Sequence, residues 1–377
     1  LIKAIKDKYC VRILTDDLSD AKKIVDELNQ IFVIQENDNE NRLSEGHIKQ
    51  ELLDREELDY SLVKEDLFSL NNLQQEYPEI KSIEASYGHY ENRSSITNSN
   101  ADLVEENYFN YYSVGITMQK EDVTKIVYAD YYTKNYDFET FKQYIVKKVD
   151  ILAIKLNSTS CKTDKYKVIL QNNVVANILE QFCGMFHSRN MYLKESVLVD
   201  KFGTKVFSDK VTIIEDPSSE NAIVPSYFDS EGTPTTYKEL VKDGVYVKQI
   251  NNIEYALKTN EEPTGNASGV NHMYLVPGKK NYSDLLNELH DGIIIDEAHG
   301  LHSGVDVKSG NISVQAEGVL VENGKIVRGL NMIVLSTNIF EILNNILEIG
   351  NDMSCSLDVL APSILLENIT IAGDINE

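Results

Sequence analysis

The chain has 377 residues, of which 42% are hydrophobic, and a formal net charge of −24. This length suits two domains with sizeable cores, and the acidic balance disfavours direct binding of nucleic acid, because neutralising phosphates requires clustered Lys and Arg. No apolar run is long enough to cross a membrane, no signal peptide is evident, and the four cysteines lack CxxC spacing. We therefore expect a soluble, cytoplasmic protein with reduced thiols and no direct contact with nucleic acid or membrane. Because the sequence opens on Leu1 instead of Met, we expect residues to be missing from its start.

The first 160 residues combine helical patterns with an antiparallel sheet. Apolar residues at helical spacing predict a helix over 16–32, and the acidic, polar segment 36–66 is interpreted as a solvated loop or weak helix. Three segments rich in Tyr, Val, Ile and Thr predict strands at 80–100, 106–120 and 123–135. A long amphipathic helix then begins near Phe138.

The second half of the chain is richer in strands. KVIL at 167–170 predicts a short buried strand, a helix follows it, and Asn323-Gly324 marks a hairpin. A last helix is predicted to begin at Thr337 or Asn338 and to end at Gly350. The pattern predicts an α+β fold of two domains, an N-terminal α+β domain with an antiparallel sheet (1–160) and a β-rich C-terminal domain (161–377).

The segment DGIIIDEAHGLHSG, at 291–304, places Asp296 and Glu297 directly after an apolar run. A helicase uses such an acidic pair to hold Mg²⁺ beside a nucleotide. It also needs a phosphate loop of the pattern GxxxxGK[ST], and the sequence contains none. We interpret the helicase-like match as a coincidence.

The same segment carries His299 and His302, which are candidate metal ligands. A catalytic zinc site takes three protein ligands, often two histidines on one helix and a third ligand from elsewhere. Neither HExxH nor HExxxH occurs in the sequence, so a turn with solvated or hydrogen-bonded histidines is the favoured interpretation. His187 and His272 could approach this segment only through tertiary folding, and His187, with Asp296 or Glu297, is the candidate for completing a metal site.

An ordered set of motifs surrounds these histidines. Downstream are Gly304-Val305-Asp306, Ser309-Gly310-Asn311-Ile312-Ser313, Glu322-Asn323-Gly324-Lys325-Ile326, Ile349-Gly350-Asn351-Asp352 and the ending APSILLENITIAG. Upstream are ASYGHYENRSSITNSN, YFDSEGTPTTYKELVKDGVYV, PTGNASG and NHMYLVPG. The set resembles the TldD/PmbA family, whose older label is modulator of DNA gyrase, over most of the chain. Family members carry a further strand hairpin or two before the segment that matches VRILTDDLS, so this member is shorter or lacks residues.

The resemblance implies one of two subunit types. TldD-type subunits carry HExxxH on a helix, which supplies two zinc ligands and a general base, and a cysteine near the C-terminus as third ligand. Here the matching helix has Leu179 and Gly184 at the histidine positions and Glu180 at the general-base position. Leu and Gly cannot bind zinc, and a glutamate without metal-bound water has nothing to deprotonate. The chain therefore resembles the PmbA/TldE type, and Cys355 is interpreted as a thiol without a metal.

Four residues are candidates for binding substrate. Thr264 and Asn266 lie in PTGNASG, whose small residues would let a ligand backbone approach closely. Gly304 and Asp306 belong to the first downstream motif. An ordinary turn explains the PTGNASG segment equally well.

By resemblance, we expect the non-catalytic subunit of a zinc-dependent peptidase that processes or degrades unfolded peptides. Zinc is expected in a TldD-type partner and no cofactor in this chain. The partner would be that catalytic subunit or a second copy of the chain, in a dimer. One alternative is a stand-alone metallopeptidase that uses His299 and His302; another is a homodimeric peptide-binding protein.

Overall fold

A computed structural model describes residues 1–7, 9–34, 41–50 and 58–374 and confirms the α+β class. Two short 3₁₀ segments, Leu70–Asn72 and Cys183–Phe186, accompany the α-helices. The helices are α1 (Ala21–Ile34), α2 (Tyr60–Ser69), α3 (Leu73–Glu76), α4 (Phe138–Lys155), α5 (Asn172–Phe182), α6 (Ser188–Tyr192), α7 (Ile253–Thr259), α8 (Tyr282–Leu289), α9 (Leu301–Gly304) and α10 (Ile339–Asn344).

The strands form four sheets within the described residues. In chain order they are β1 (Ile2–Lys6), β2 (Tyr9–Ile13), β3 (Gly46–Gln50), β4 (Ile80–Thr97), β5 (Ala101–Lys120), β6 (Val123–Thr133), β7 (Ser158–Thr159), β8 (Asp164–Leu170), β9 (Ile213–Glu215), β10 (Lys238–Lys242), β11 (Val245–Tyr246), β12 (Met273–Leu275), β13 (Gly292–His299), β14 (Asn311–Glu322), β15 (Lys325–Asn338), β16 (Ile346–Met353), β17 (Val359–Leu360) and β18 (Pro362–Ala372).

The three strands predicted from the tyrosine-rich segments are confirmed as β4, β5 and β6, an antiparallel sheet with β5 in the middle. Helix α4 covers one face of this sheet. Alternate side chains of β5, from Tyr112 to Met118, are buried against Phe141 and Ile145 of that helix. The alternate apolar side chains of the strand and the apolar face of the helix therefore form one core.

At the N-terminal end of β5, the buried side chains lie on the opposite face of the same sheet. There Ala101 and Leu103 are buried against Phe228, which belongs to the second half of the chain. Strand β3 adds to this part of β5 in parallel. Strand β5 thus contributes side chains to two separate cores, and the second core connects the N-terminal sheet with the C-terminal half of the chain.

The largest sheet has seven strands in the order β16-β18-β8-β13-β14-β15-β7. A further pairing of β15 with β18 closes the five strands β18, β8, β13, β14 and β15 into a ring. Ile293 and Ile295 of β13 face one core cluster, whereas Ile294 faces another. Burial on both faces explains why this strand is a continuous apolar run.

The predicted hairpin at Asn323-Gly324 is confirmed, but the prediction for the last helix is wrong at its end. Helix α10 stops at Asn344, and the residues from Ile346 form β16, which pairs with β18. Short apolar runs fit either period, and here tertiary pairing decided for the strand. In the described part of segment 36–66, the start of α2 agrees with the predicted weak helix, whereas strand β3 was not predicted.

A domain boundary near residue 160 stays a prediction. Contacts between the two halves extend well beyond that point: Lys125 of β6 pairs with Glu317 of β14 at 2.7 Å. The backbone N–H of Tyr132 donates to the Cys355 thiol, and that thiol donates to the Tyr132 carbonyl, both at 3.0 Å.

The core between α4 and the N-terminal sheet is expected to be sensitive to truncation. Replacing the fully buried Ile145 by Ala should lower the free energy of unfolding by about 3 kcal/mol, because it leaves a cavity. Urea denaturation measures this change. The control is Ile126→Ala, whose side chain on β6 is 46% exposed and which should change stability far less. Equal effects of the two substitutions would contradict this packing.

Candidate functional site

The acidic pair of the DEAH segment surrounds a buried lysine. Lys155, in the last turn of α4, is only 1% exposed. Its Nζ lies 2.8 Å from Asp296 Oδ2, 3.1 Å from Glu297 Oε1 and 3.5 Å from Glu317 Oε2. The two residues that resemble an Mg²⁺-binding pair are therefore ion-paired to a lysine.

The charges in this cluster shift one another's pKa values. Burial disfavours the charged form of Lys155, but the carboxylates of Asp296 and Glu297 outweigh it and hold the lysine pKa above its ordinary value. Two turns earlier on α4, burial lowers the pKa of Lys148 despite the same carboxylates. Burial raises the pKa of Glu317, but the Lys125 hydrogen bond and the Lys155 charge outweigh it and lower the value overall.

The histidines of the alternative metal site lie apart from a complete ligand set. His299 ends β13 and is exposed, with its Nε2 3.4 Å from Glu297 Oε2, and His302 is exposed on the short helix α9. His187 caps α6, and its Nδ1 accepts a hydrogen bond from the backbone N–H of Arg189. Within the described ranges, no group of three His, Cys, Asp or Glu side chains could hold a metal.

Helix α5 carries the residues that match the HExxxH positions. Leu179 is buried in the main core cluster, and Gly184 lies in the 3₁₀ turn after the helix. Glu180 is exposed on the outer side of the helix. An aliphatic side chain inside the core and a residue without a side chain offer zinc no donor atom, so this position does not fit the metal.

Cys355, near the place of the third zinc ligand in TldD-type subunits, is also engaged elsewhere. Its thiol contacts the backbone of Tyr132. Burial raises the pKa of Cys355 to about 11, so the thiolate that a metal requires is disfavoured.

Thr264 and Asn266 lie in a buried polar network. The Thr264 hydroxyl donates to Asn266 Oδ1 at 2.8 Å, and Asn266 Nδ2 donates to Glu215 Oε1 at 2.6 Å. Glu215 is fully buried and pairs with Lys238 at 2.9 Å. These side chains point into the protein and hold the PTGNASG loop on β9 and β10, so their role in binding substrate stays a prediction.

Gly304 is the last residue of α9, and Asp306 lies in the turn between α9 and β14. A side chain at position 304 would come within 2.5 Å of the Ser313 carbonyl, so the turn requires glycine there. The exposed Asp306 accepts hydrogen bonds from the backbone N–H of Lys308 at 2.9 Å and the Ser309 hydroxyl at 2.7 Å. The hydrogen bonds from Ser309 and Lys308 hold the pKa of Asp306 below its ordinary value. Both residues build the turn, and a part in substrate binding stays a prediction.

Comparison with known proteins identifies the family. The model of the PmbA/TldA metallopeptidase C-terminal domain matches residues 163–373, more than half of the chain. The chain belongs to the PmbA/TldD family. It is 28% identical over 219 residues to the metalloprotease PmbA of Escherichia coli O157:H7, which covers 58% of this chain and 48% of that protein. Such matches span about half the length of the curated relatives.

Two solved structures share the fold along almost the whole chain. A Thermotoga maritima MSB8 protein superposes with a TM-score of 0.85 at 24% identity, covering 98% of this chain and 88% of that one. TldE from Thermococcus kodakarensis superposes with a TM-score of 0.83 at 21% identity, covering 98% and 89%. The described helices include none with the length and apolar character needed to cross a membrane.

The sequence motifs of this PmbA/TldD-family chain do not include the buried cations Lys155 and Lys238. For Lys155 a signal was present, because the apolar positions of α4 run through Val149 and Leu152, and the lysine follows in the same helical register. A lysine in line with an apolar stripe predicts a buried charge that needs a partner. For Lys238 no comparable signal exists in the sequence.

The buried lysine of the PmbA/TldD-family fold is expected to be essential for stability. Lys155→Met should lower the free energy of unfolding by about 3–5 kcal/mol, because it leaves carboxylates buried without their cation. Adding Asp296→Asn should restore part of the loss, since a neutral amide needs no counter-ion. Urea denaturation reports both effects, and Lys242→Met, at an exposed ion pair, is the control that should change little. A Lys155→Met protein as stable as wild type would contradict the role assigned to the pair.

The network around Asn266 allows a second test that separates architecture from substrate binding. Asn266→Ala should lower the free energy of unfolding by about 1–3 kcal/mol, because Glu215 loses a buried hydrogen bond. Asp306→Ala, at an exposed turn, should leave global stability almost unchanged. Thermal and urea unfolding measure both. If Asn266→Ala weakened peptide binding at unchanged stability, the residue would contact substrate directly.

Proposed function

We propose that this chain is the non-catalytic, TldE/PmbA-type subunit of a TldD-like zinc-dependent peptidase. That peptidase processes or degrades unfolded peptides in the cytoplasm. This chain shapes the chamber and binds substrate backbone, and the zinc that activates water is held by a TldD-type catalytic partner.

One observation carries the proposal: Leu179 and Gly184 stand where TldD-type subunits have their two histidines. Leu179 is part of the main core, so a metal could not replace it without opening that core. Glu180 lies on the exposed side of α5 and has no metal-bound water to deprotonate. The helix therefore contributes packing to the fold and no catalytic group.

The electrostatics around β13 argue against independent catalysis by this chain. Asp296 and Glu297 are both ion-paired with Lys155, so a lysine already occupies the position that a cation would take between these carboxylates. His299 and His302 are left without a third donor among the described residues. These observations favour a complex in which the TldD-type partner carries the catalytic site.

The proposal predicts that activity depends on the partner. Purified chain should bind less than stoichiometric zinc and should not cleave casein or an unfolded peptide. Mixing it with its TldD-type partner should give a zinc-containing complex with cleavage that a chelator abolishes. Metal analysis and peptide cleavage on the chain, the partner and the mixture measure this.

Two variants test which subunit carries the catalytic glutamate. Glu180→Gln in this chain should leave cleavage by the mixture unchanged, whereas replacing the HExxxH glutamate in the partner should abolish it. Stoichiometric zinc and chelator-sensitive cleavage in this chain alone would overturn the proposal. Tight self-association together with failure to bind any TldD-type subunit would favour a homodimeric binding protein instead.

A further inference from the structure

The outermost strand of the N-terminal sheet presents a long backbone edge. Strand β4 runs over 18 residues and pairs in regular antiparallel register with β5 on one side. On its other side, no described strand pairs with it. Alternate N–H and C=O groups along this edge therefore face outwards, where an additional strand could bind them.

The centre of this edge lacks the usual protection against strand addition. Exposed edge strands are commonly short, or carry prolines, bulges or charges that block pairing. Residues 85–90 of β4, ASYGHY, include no proline, Asp, Glu, Lys or Arg. The only register shift in the strand lies near its start, at Ile80 and Ser82. Among the described residues, no strand covers this central edge.

A cavity of about 360 Å³ with a largely apolar lining lies along this part of the edge, between α2 and β4. Strand β4 contributes Ile83, Ala85 and Tyr87, which share one face of the sheet. Helix α2 contributes Val63, Leu67 and Phe68 among others, and Phe68 is 62% exposed. The cavity is thus on the same face as alternate side chains of β4.

This arrangement combines the two elements of peptide recognition by strand addition. Main-chain hydrogen bonds to a sheet edge provide affinity, and a pocket for alternate side chains provides selectivity. A strand added beside β4 would continue the sheet at about 4.8 Å spacing, with every second side chain on the cavity face. Apolar side chains at those positions match the lining of the cavity.

Charge favours an extended peptide over a second copy of the chain. The only charged side chain that lines the cavity is Lys64, whose Nζ lies 5.8 Å from the centroid of the Phe68 ring. A carboxylate on the bound segment would complement this lysine. A second copy, with a net charge of −24, would be repelled by the whole protein at close range.

We infer that the free edge of β4 and the cavity beneath α2 form a binding site for an extended peptide. The peptide would carry apolar side chains at alternate positions and a carboxylate that reaches Lys64. The inference rests on the proposed function in taking unfolded peptide as the ligand class, and it assigns the binding to a named edge.

Fluorescence polarisation on the chain alone tests this site. The probe is a fluorescein-labelled peptide of about eight residues that alternates leucine with serine and ends in a free carboxylate. It should bind saturably, and Phe68→Glu should raise its Kd by at least about tenfold. The matched control is Leu62→Glu, because Leu62 is a 48% exposed residue of α2 outside the cavity lining, and the Kd of the probe for this variant should change less than about twofold.

Two N-methylated probes identify strand addition itself. Methylation of alternate amides removes the donors on one edge of the peptide, so one register should abolish binding and the other should preserve it. Lys64→Glu should weaken binding of the free-carboxylate probe more than that of the amidated probe. Circular dichroism verifies that each variant is folded.

Several outcomes would overturn the inference. They are no saturable binding, equal effects of Phe68→Glu and Leu62→Glu, or equal binding of both methylated probes. Dimers that Phe68→Glu converts to monomers in sedimentation equilibrium, with no peptide bound, would assign the edge to a second copy. Because no partner or zinc is present, these outcomes are independent of the zinc and cleavage measurements on the mixture.

Discussion

A buried lysine, surrounded by carboxylates from two strands, is the contact on which the arrangement of the two halves depends. Lys155 ends helix α4, and the rest of that helix packs on the N-terminal sheet. Its ammonium group reaches Asp296 and Glu297 on β13 and Glu317 on β14. Removing a charge from water is costly, and only close partners offset that cost. The end of α4 is thereby fixed on the C-terminal sheet.

Further contacts extend this junction along the N-terminal sheet. Lys125 of β6 binds Glu317, the Cys355 thiol contacts the backbone of Tyr132, and Leu103 of β5 packs on Phe228. These contacts involve β6 and the N-terminal part of β5. In the described structure, no strand pairs with the outer edge of β4. The same packing that joins the halves therefore leaves one strand able to accept another chain.

Helix α5 contributes core packing at the position that the family resemblance assigns to a zinc ligand. At position 179 a leucine is buried in the main cluster, where a histidine would introduce polar nitrogens that require partners. The buried network of Glu215, Lys238 and Asn266 shows the converse case, since each polar group there has a partner from a neighbouring segment. In the PTGNASG motif the polar side chain of Asn266 therefore holds its loop in place.

The sequence by itself determined the family, the α+β class, the tyrosine-rich strands, the Asn323-Gly324 hairpin and the missing zinc donors at 179 and 184. These depend on local periodicity, turn chemistry and residue type. Only the tertiary structure decided that Asp296 and Glu297 bind Lys155, that Thr264 and Asn266 point inwards, and that the residues from Ile346 form a strand. Each of those outcomes depends on a partner more than 10 residues away in the chain, such as Leu366 opposite Ile346, and local pattern carries no information about such pairs.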